Sequence, residues 1–247
     1  MLEEIKKLGY QVLPLSHAEA ILNVDFPQAL QEIEKCLIDF RIPIAEIIGS
    51  GGGEAQGTQR LRRSLTDQGW PKTNFEISKV INGMAKESIS HEIDHTKQFD
   101  NKGTVALEIE WNNKDPFFDR DLENYKRLHA EGAISVGVII TRGEDLQNSM
   151  KDLVLGYAKK HEINNFDRLQ QLGLTLTKRQ HDDILEKVER PRNPVPFPDA
   201  WANLFVQDKF GAATTHWEKL KDRVDRGVGN PCPLLLIGIP KTIVLCD

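Results

Sequence analysis

The sequence predicts an α/β fold in which a mixed β-sheet is flanked by helices. Three observations carry this expectation. Apolar residues recur at helical spacing early in the chain, the period changes to strand-like alternation after Trp70-Pro71, and the span 104–141 reads as strand, helix, strand. The last pattern requires a crossover connection and, with it, a parallel pairing.

The elements follow in order. The first fifty residues read as helical: Phe26, Leu30, Ile33, Leu37 and Phe40 fall on one helix face, and Pro27 stands near the helix start, where its missing N–H does no harm. Ser50-Gly51-Gly52-Gly53 breaks the chain, and no Gly-Lys-Ser/Thr follows to make it a phosphate-binding loop. A second helix is expected over Gln56–Asp67, closed by Gly69. Residues 75–81 alternate as a strand, and 89–99 read as one further strand. Asp100-Asn101-Lys102-Gly103 is turn chemistry, because Asn and Gly tolerate left-handed conformations. Residues 104–111 form the next strand, with Val105, Leu107, Ile109 and Trp111 on one face and Glu108 and Glu110 on the other. A helix over 119–131 ends at Gly132, and 134–141 is a buried strand. The second half is less legible. Helices are expected over 150–160 and 179–188, a proline-rich surface connection over 191–198, a helix within 209–226 that stops at Gly227, and a last apolar strand at Leu234–Ile239. With no internal repeat or linker in view, a single domain over 1–247 is expected: a mostly helical part to 70, a core over 75–145, then helices, loops and a terminal strand.

Composition narrows the class. With 39% hydrophobic and 28% charged residues the chain reads as a folded soluble protein, not a disordered one. No apolar run approaches the ~20 residues needed to span a bilayer, and the N-terminus lacks the apolar core of a secretory signal. Cys36, Cys232 and Cys246 show no CxxC spacing and no disulfide framework, so a reducing cytoplasm is the expected compartment. The net charge of −5 counts against nucleic-acid binding by the chain as a whole. A DNA enzyme needs only a local positive face, however, because phosphate attraction acts within a Debye length, about 8 Å at physiological salt. The stretch 56–79 carries Arg60, Arg62, Arg63, Lys72 and Lys79 against Asp67 and Glu76, a pattern that also suits an ordinary solvated helix face.

The chemically informative stretch is His91-Glu92-Ile93-Asp94-His95, the turn, and then Glu108-Ile109-Glu110. Phosphodiester hydrolysis gathers negative charge on phosphate oxygens and needs a deprotonated water, and a bound Mg²⁺ serves both needs. Mg²⁺ takes oxygen ligands, usually one or two carboxylates plus water and substrate oxygens. In an E-x-E strand the two glutamates point to one side, about 7 Å apart by strand rise. One can hold metal while the other orients or deprotonates water, and the Ile109 carbonyl between them is a further oxygen ligand where the sheet splays. A turn centred near Asn101–Lys102 places Asp94 opposite 108–110 to within a bulge. Asp100 is the rival carboxylate, inside the turn. Two glutamates on the exposed face of a half-buried strand are also a common structural pattern. A zinc site through His91 and His95 lacks a third strong partner, and a glycosidase reading fits E-x-E poorly because its two acids must flank a sugar.

Asp94, the run Val105-Ala106-Leu107-Glu108-Ile109-Glu110-Trp111-Asn112-Asn113-Lys114-Asp115 and the following Phe118-Asp119-Arg120-Asp121-Leu122 resemble the BglII-, BstYI- and BamHI-like type II restriction endonucleases of the PD-(D/E)XK nuclease superfamily. The resemblance continues through 132–142 and again at 210–216, and is strongest over about 90–145. It implies a restriction-endonuclease-like core, a homodimer on double-stranded DNA around a palindromic site, and Mg²⁺-dependent cleavage leaving 3′-hydroxyl and 5′-phosphate. By position it makes Asp94 and Glu108 metal ligands and sets Glu110 where most of the superfamily has lysine, so Glu110 is expected to act as a general base or through metal-bound water. It places Asn113, and more weakly Asn112, where a base-reading side chain stands, and asparagine suits bidentate contact with adenine. Lys114 suits a backbone phosphate or plain solvation, and Arg142 ends a buried strand where a DNA-reading loop commonly begins. Glu54 is either a helix acid joining the metal site or a first-turn glutamate stabilising the helix dipole. Asp119 and Arg120 are expected to cap the crossover helix and pair structurally, in preference to a catalytic role. The alternative reading is a sequence-specific DNA-binding or repair protein that keeps the fold without cutting.

Overall fold

The computed structural model describes residues 1–49 and 54–246, without the side chains of 85–87; the expected glycine-rich break at 50–53 lies outside the described residues. Chain order is α1 (Glu3–Lys7), β1 (Gln11–Leu15), α2 (Ala18–Val24), α3 (Pro27–Ile38), β2 (Ile42–Pro43), α4 (Ile44–Gly49) and α5 (Gln56–Asp67). It continues with β3 (Thr73–Ile81), β4 (Met84–Ile93), β5 (His95–Phe99), β6 (Gly103–Glu110), α6 (Phe117–Ala130), β7 (Val136–Arg142) and α7 (Glu144–Lys160). The remainder is α8 (Phe166–Gln171), α9 (Lys178–Val188), α10 (Phe197–Phe210), α11 (Trp217–Asp225), β8 (Leu234–Ile239) and β9 (Val244–Leu245).

Five strands form the mixed sheet that the sequence predicts, in the order β1-β8-β7-β6-β5. β6, β7 and β8 are parallel, and an antiparallel strand closes each edge. The parallel strands are apolar on both faces, as strands covered on both sides must be. Val105, Leu107, Val138, Ile140, Leu235 and Ile237 face a core built with α3, α5, α7 and α10. Ala106, Ile139, Leu234 and Leu236 face a smaller one built with α6 and α11. The crossover helix α6 lies tight on this second face. Tyr125 covers Gly137, where a Cβ would stand 2.3 Å from the ring, and donates its hydroxyl to Val138 O at 2.8 Å. Gly137 is thus required by close approach, not by backbone conformation.

Two expectations are corrected, and one helix appears that the sequence pattern does not announce. Within the first fifty residues, 11–15 are not helical but form edge strand β1, which pairs with β8; Pro14 is tolerated there because an edge strand needs hydrogen bonds on one side only. Residues 89–99 are not one strand. β4 pairs with β3 in a long hairpin and β5 pairs with β6, and the change of partner falls at Asp94. Alternation runs through both pieces, so period alone does not show the break. Finally, α10 was not anticipated, because it buries Ala200, Trp201, Ala202 and Leu204 on several sides and shows no clean stripe. Among the described residues no helix is long and apolar enough to cross a membrane.

Candidate active site

The Asp100–Gly103 turn sets the site. Asn101 takes φ 57° and Gly103 φ 123°, left-handed values that these residue types accept most readily. The turn fixes the β5–β6 register at His95↔Leu107, so the next residue back, Asp94, arrives opposite Glu108. The Asp94 N–H donates to Glu108 Oε2 at 3.3 Å. β5 stops there while β6 runs on, paired on its other side with β7 as far as Glu110↔Thr141. The carboxyl end of β6 therefore has one edge uncovered, and Ile109 and Glu110 line a cleft of about 700 Å³ on that side.

The carboxylates are not on a solvated face. Glu108 and Glu110 are each 2% exposed, and α6 adds Asp121 at 0%. Arg120, half exposed, donates from Nε and Nη2 to Asp121 Oδ1 at 2.9 and 2.7 Å, and its Nη2 stands 3.6 Å from Glu110 Oε1. Asn113 Nδ2 donates to Glu110 Oε2 at 2.8 Å. Asp121 Oδ2 is buried without an N–H or hydroxyl donor, and Asp121 shares a carboxyl–carboxyl hydrogen bond with Glu110. Across the cleft, Arg62 of α5 contacts Asp94 Oδ1 and stands 3.1 Å from Glu54.

Burying several acids together raises their proton affinity. Glu108 is held well above the usual carboxylate range, by burial first and then by the charges of Asp121 and Asp94. Glu110 is raised to about 8, again by burial first and then by Asp121, with Asn113 and Arg120 opposing the shift. Asp121 is raised by burial despite its Arg120 partner. A cluster in this condition holds protons until positive charge arrives.

Among the described residues no three His, Cys, Asp or Glu side chains stand as a ready-made metal-holding group. The donor set still suits a hard cation. It consists of carboxylate oxygens short of positive charge, and Mg²⁺ needs only one or two of them when water and substrate supply the rest.

The DNA-facing candidates divide. Asn112, Asn113 and Lys114 are exposed in the loop after β6. This loop is stitched to 213–215 by a Lys114↔Thr214 bridge and by Thr215 N–H donating to Asn113 O at 2.8 Å. The two stretches that carried the resemblance, far apart in the chain, thus form one ledge beside the cleft. Arg142 does not belong to it. It is 0% exposed, so the expectation of a DNA-reading residue there is corrected. Its guanidinium is consumed inside, by Trp111 O, Gln147, Thr214 and Thr215 O. Asp119 and Arg120 each make an ion pair, but among the described residues no side chain caps α6: Asp119 accepts from Arg223 at 2.9 Å, while Arg120 turns toward the acids. Glu54 precedes α5 and its side chain goes to Arg62, so its place is at the cleft rather than in the helix first turn.

Asp121 and the Arg62–Asp94 contact escaped sequence reasoning. Asp121 carried a signal: it falls with Phe118, Leu122, Tyr125 and Leu128 on the apolar face of α6, where an unexplained charge is informative. The Arg62 contact joins residues 32 positions apart on elements that only packing brings together.

A comparison with curated proteins found no match. A family model described as Restriction endonuclease BglII/BglIII matches residues 10–239, from the start of β1 to the end of β8 and so across the whole five-stranded sheet. The resemblance seen in residues 90–145 therefore extends over nearly the full chain, and this protein belongs to the BglII/BglIII restriction endonuclease family.

Proposed function

We propose that the chain is a type II restriction endonuclease that hydrolyses phosphodiester bonds in double-stranded DNA at a short palindromic site, using Mg²⁺ and leaving 5′-phosphate and 3′-hydroxyl ends. The observation that carries this reading, beside family membership, is the buried acid cluster of Glu108, Glu110 and Asp121 under a polar cleft. Asp94 and Glu108, with the Ile109 carbonyl, would hold Mg²⁺. When bound, the ion supplies positive charge against the charge developing on phosphate and lowers the pKa of water.

The chain's own groups have distinct tasks. Glu110 accepts the proton of the attacking water. Its carboxyl lines the cleft beside Ile109, where an attacking water would stand. Asn113 and Arg120 hold the Glu110 carboxyl in place from opposite oxygens. Asp121 steadies Arg120 and keeps the region acidic. Asn112, Asn113 and Lys114 face the DNA from the ledge. Asn113 Nδ2 carries two hydrogens, so one can stay on Glu110 while the other and Oδ1 serve a base edge.

Incubation with unmethylated phage DNA and Mg²⁺, followed by fragment mapping, is expected to give discrete fragments with ligatable ends. Asp94→Ala and Glu108→Ala are expected to lose cleavage while keeping specific binding, since removing a carboxylate also removes repulsion from phosphate. Cleavage within about tenfold of wild type in either variant would remove the site assignment, and specific binding without any cutting by the unaltered chain would favour the non-cleaving alternative. A homodimer is expected, because a palindrome has two-fold symmetry and each strand needs its own site. Sedimentation showing a monomer both alone and on its duplex would contradict it.

A further inference from the structure

The cation nearest Asp94 belongs to the protein. Arg62 projects from α5 across the cleft, with Nη2 on Asp94 Oδ1 and Nη1 at 3.1 Å from Glu54 Oε1. It therefore clamps the bend between β4 and β5 to the segment that leads into α5. Its neighbours in the basic stretch are occupied elsewhere: Arg60 pairs with Glu46 at 2.7 Å and Lys72 with Glu92 at 2.6 Å. Arg62 Nε is buried without a partner, so this guanidinium is incompletely satisfied where it rests. About a third of its side chain is exposed, on the cleft that DNA would enter.

A guanidinium on Asp94 competes with a divalent cation for the same oxygen atoms, and the two positive charges repel at that range. A phosphate entering the cleft offers Arg62 a replacement anion with matching fork geometry. We propose that Arg62 is a positioning residue that acts as the resident counter-charge of Asp94, masking it from Mg²⁺ until DNA phosphate draws the guanidinium away. Metal loading and DNA entry are then coupled through one side chain. This rests on the reading of Asp94 as a metal ligand.

The test measures Mg²⁺ binding to the DNA-free protein by calorimetry and by the shift in Tm. Arg62→Gln is expected to bind Mg²⁺ about fivefold or more tighter than wild type, because an ion pair of this exposure is worth about 1 kcal/mol, and to have a lower Tm without metal. Arg62→Lys keeps the charge but has no second arm for Glu54, so its affinity should fall between the two; it also serves as the deciding variant if Arg62→Gln does not fold. Affinity unchanged or weaker in the folded variants overturns the proposal, including the case where Tm alone drops, which is what a merely structural arginine would give. Asp94→Asn separates the two readings. If adding it to Arg62→Gln leaves that variant's Mg²⁺ affinity unchanged, the ligand assignment of Asp94 fails and the proposal with it. If Asp94→Asn loses binding while the Arg62 variants bind as wild type, only the counter-charge role fails.

Discussion

Two adjacent parallel strands, β6 and β7, end in buried charge, and the protein treats the two ends in opposite ways. Arg142 closes β7 and is wholly buried, yet all three guanidinium nitrogens are bonded. Nε donates to Trp111 O at 2.7 Å, Nη1 to Gln147 Oε1 at 2.6 Å, and Nη2 to Thr214 Oγ1 at 2.7 Å and Thr215 O at 2.6 Å. The Phe210 ring lies 4.9 Å from its centre. Burial pushes its pKa down to about 9, which still leaves it charged at neutral pH. At the end of β6, Glu108 and Glu110 meet Asp121, and the cation that reaches them, Arg120, is half exposed and shared between two acids. One carboxylate oxygen there has no N–H or hydroxyl donor. A buried charge that is satisfied on every side holds structure together. A buried cluster left short of positive charge is the candidate for chemistry.

The largest expected effect would sharpen this contrast at Glu110. Glu110→Gln should fold as well as wild type, since it lightens an overcrowded acid cluster, and should lose ~10²–10⁴-fold in single-turnover cleavage if Glu110 is the base. Glu110→Lys should be worse, because a lysine beside Asp94 and Glu108 pairs with them and competes with the metal. Measured across a Mg²⁺ titration at saturating enzyme, wild-type rates for both variants would leave Glu110 without a chemical role.

Arg142→Met addresses the other end. It leaves the inward-facing Trp111 and Thr215 carbonyls without their donor. Leaving these buried acceptors unpaired should cost about 1–3 kcal/mol for each carbonyl in urea unfolding. A loss under about 1 kcal/mol would mean that the network is not what holds the loop after β6 to 214–215, and the contrast would collapse.

The smallest effect is one of pH. Glu110 is raised to about 8 in the folded chain and has its ordinary carboxylate value when unfolded. Between those values the folded state binds the proton that the unfolded state has lost, so stability is highest below the ordinary carboxylate range and falls as pH rises through about 8. Glu108 and Asp121 shift in the same direction. Arg142 titrates too high to contribute in this window. His216 and His95, held neutral by burial, work in the opposite sense below about pH 6.5, so the Tm of the metal-free protein should decline from about pH 6.5 to about pH 8, less steeply in Glu110→Gln. A flat or rising Tm would show that the acids do not hold protons there.

Local period and turn chemistry account for the parts of the fold that could be read from the residues alone. The α5 limits, the Asp100–Gly103 turn and the strand-helix-strand crossover were all legible, because each depends on neighbours a few residues apart. So was the approach of Asp94 to Glu108, since a turn of known geometry fixes the register of the strands it joins. Which charges meet depends on packing. That Arg62 would reach Asp94, that Asp121 would crowd Glu108 and Glu110, that Pro14 would sit in an edge strand, and that Arg142 would turn inward all depend on packing between distant elements. A residue's type states what partner it needs, but burial and the neighbouring elements determine whether that partner is present, and this difference separates the structural arginine from the acid cluster.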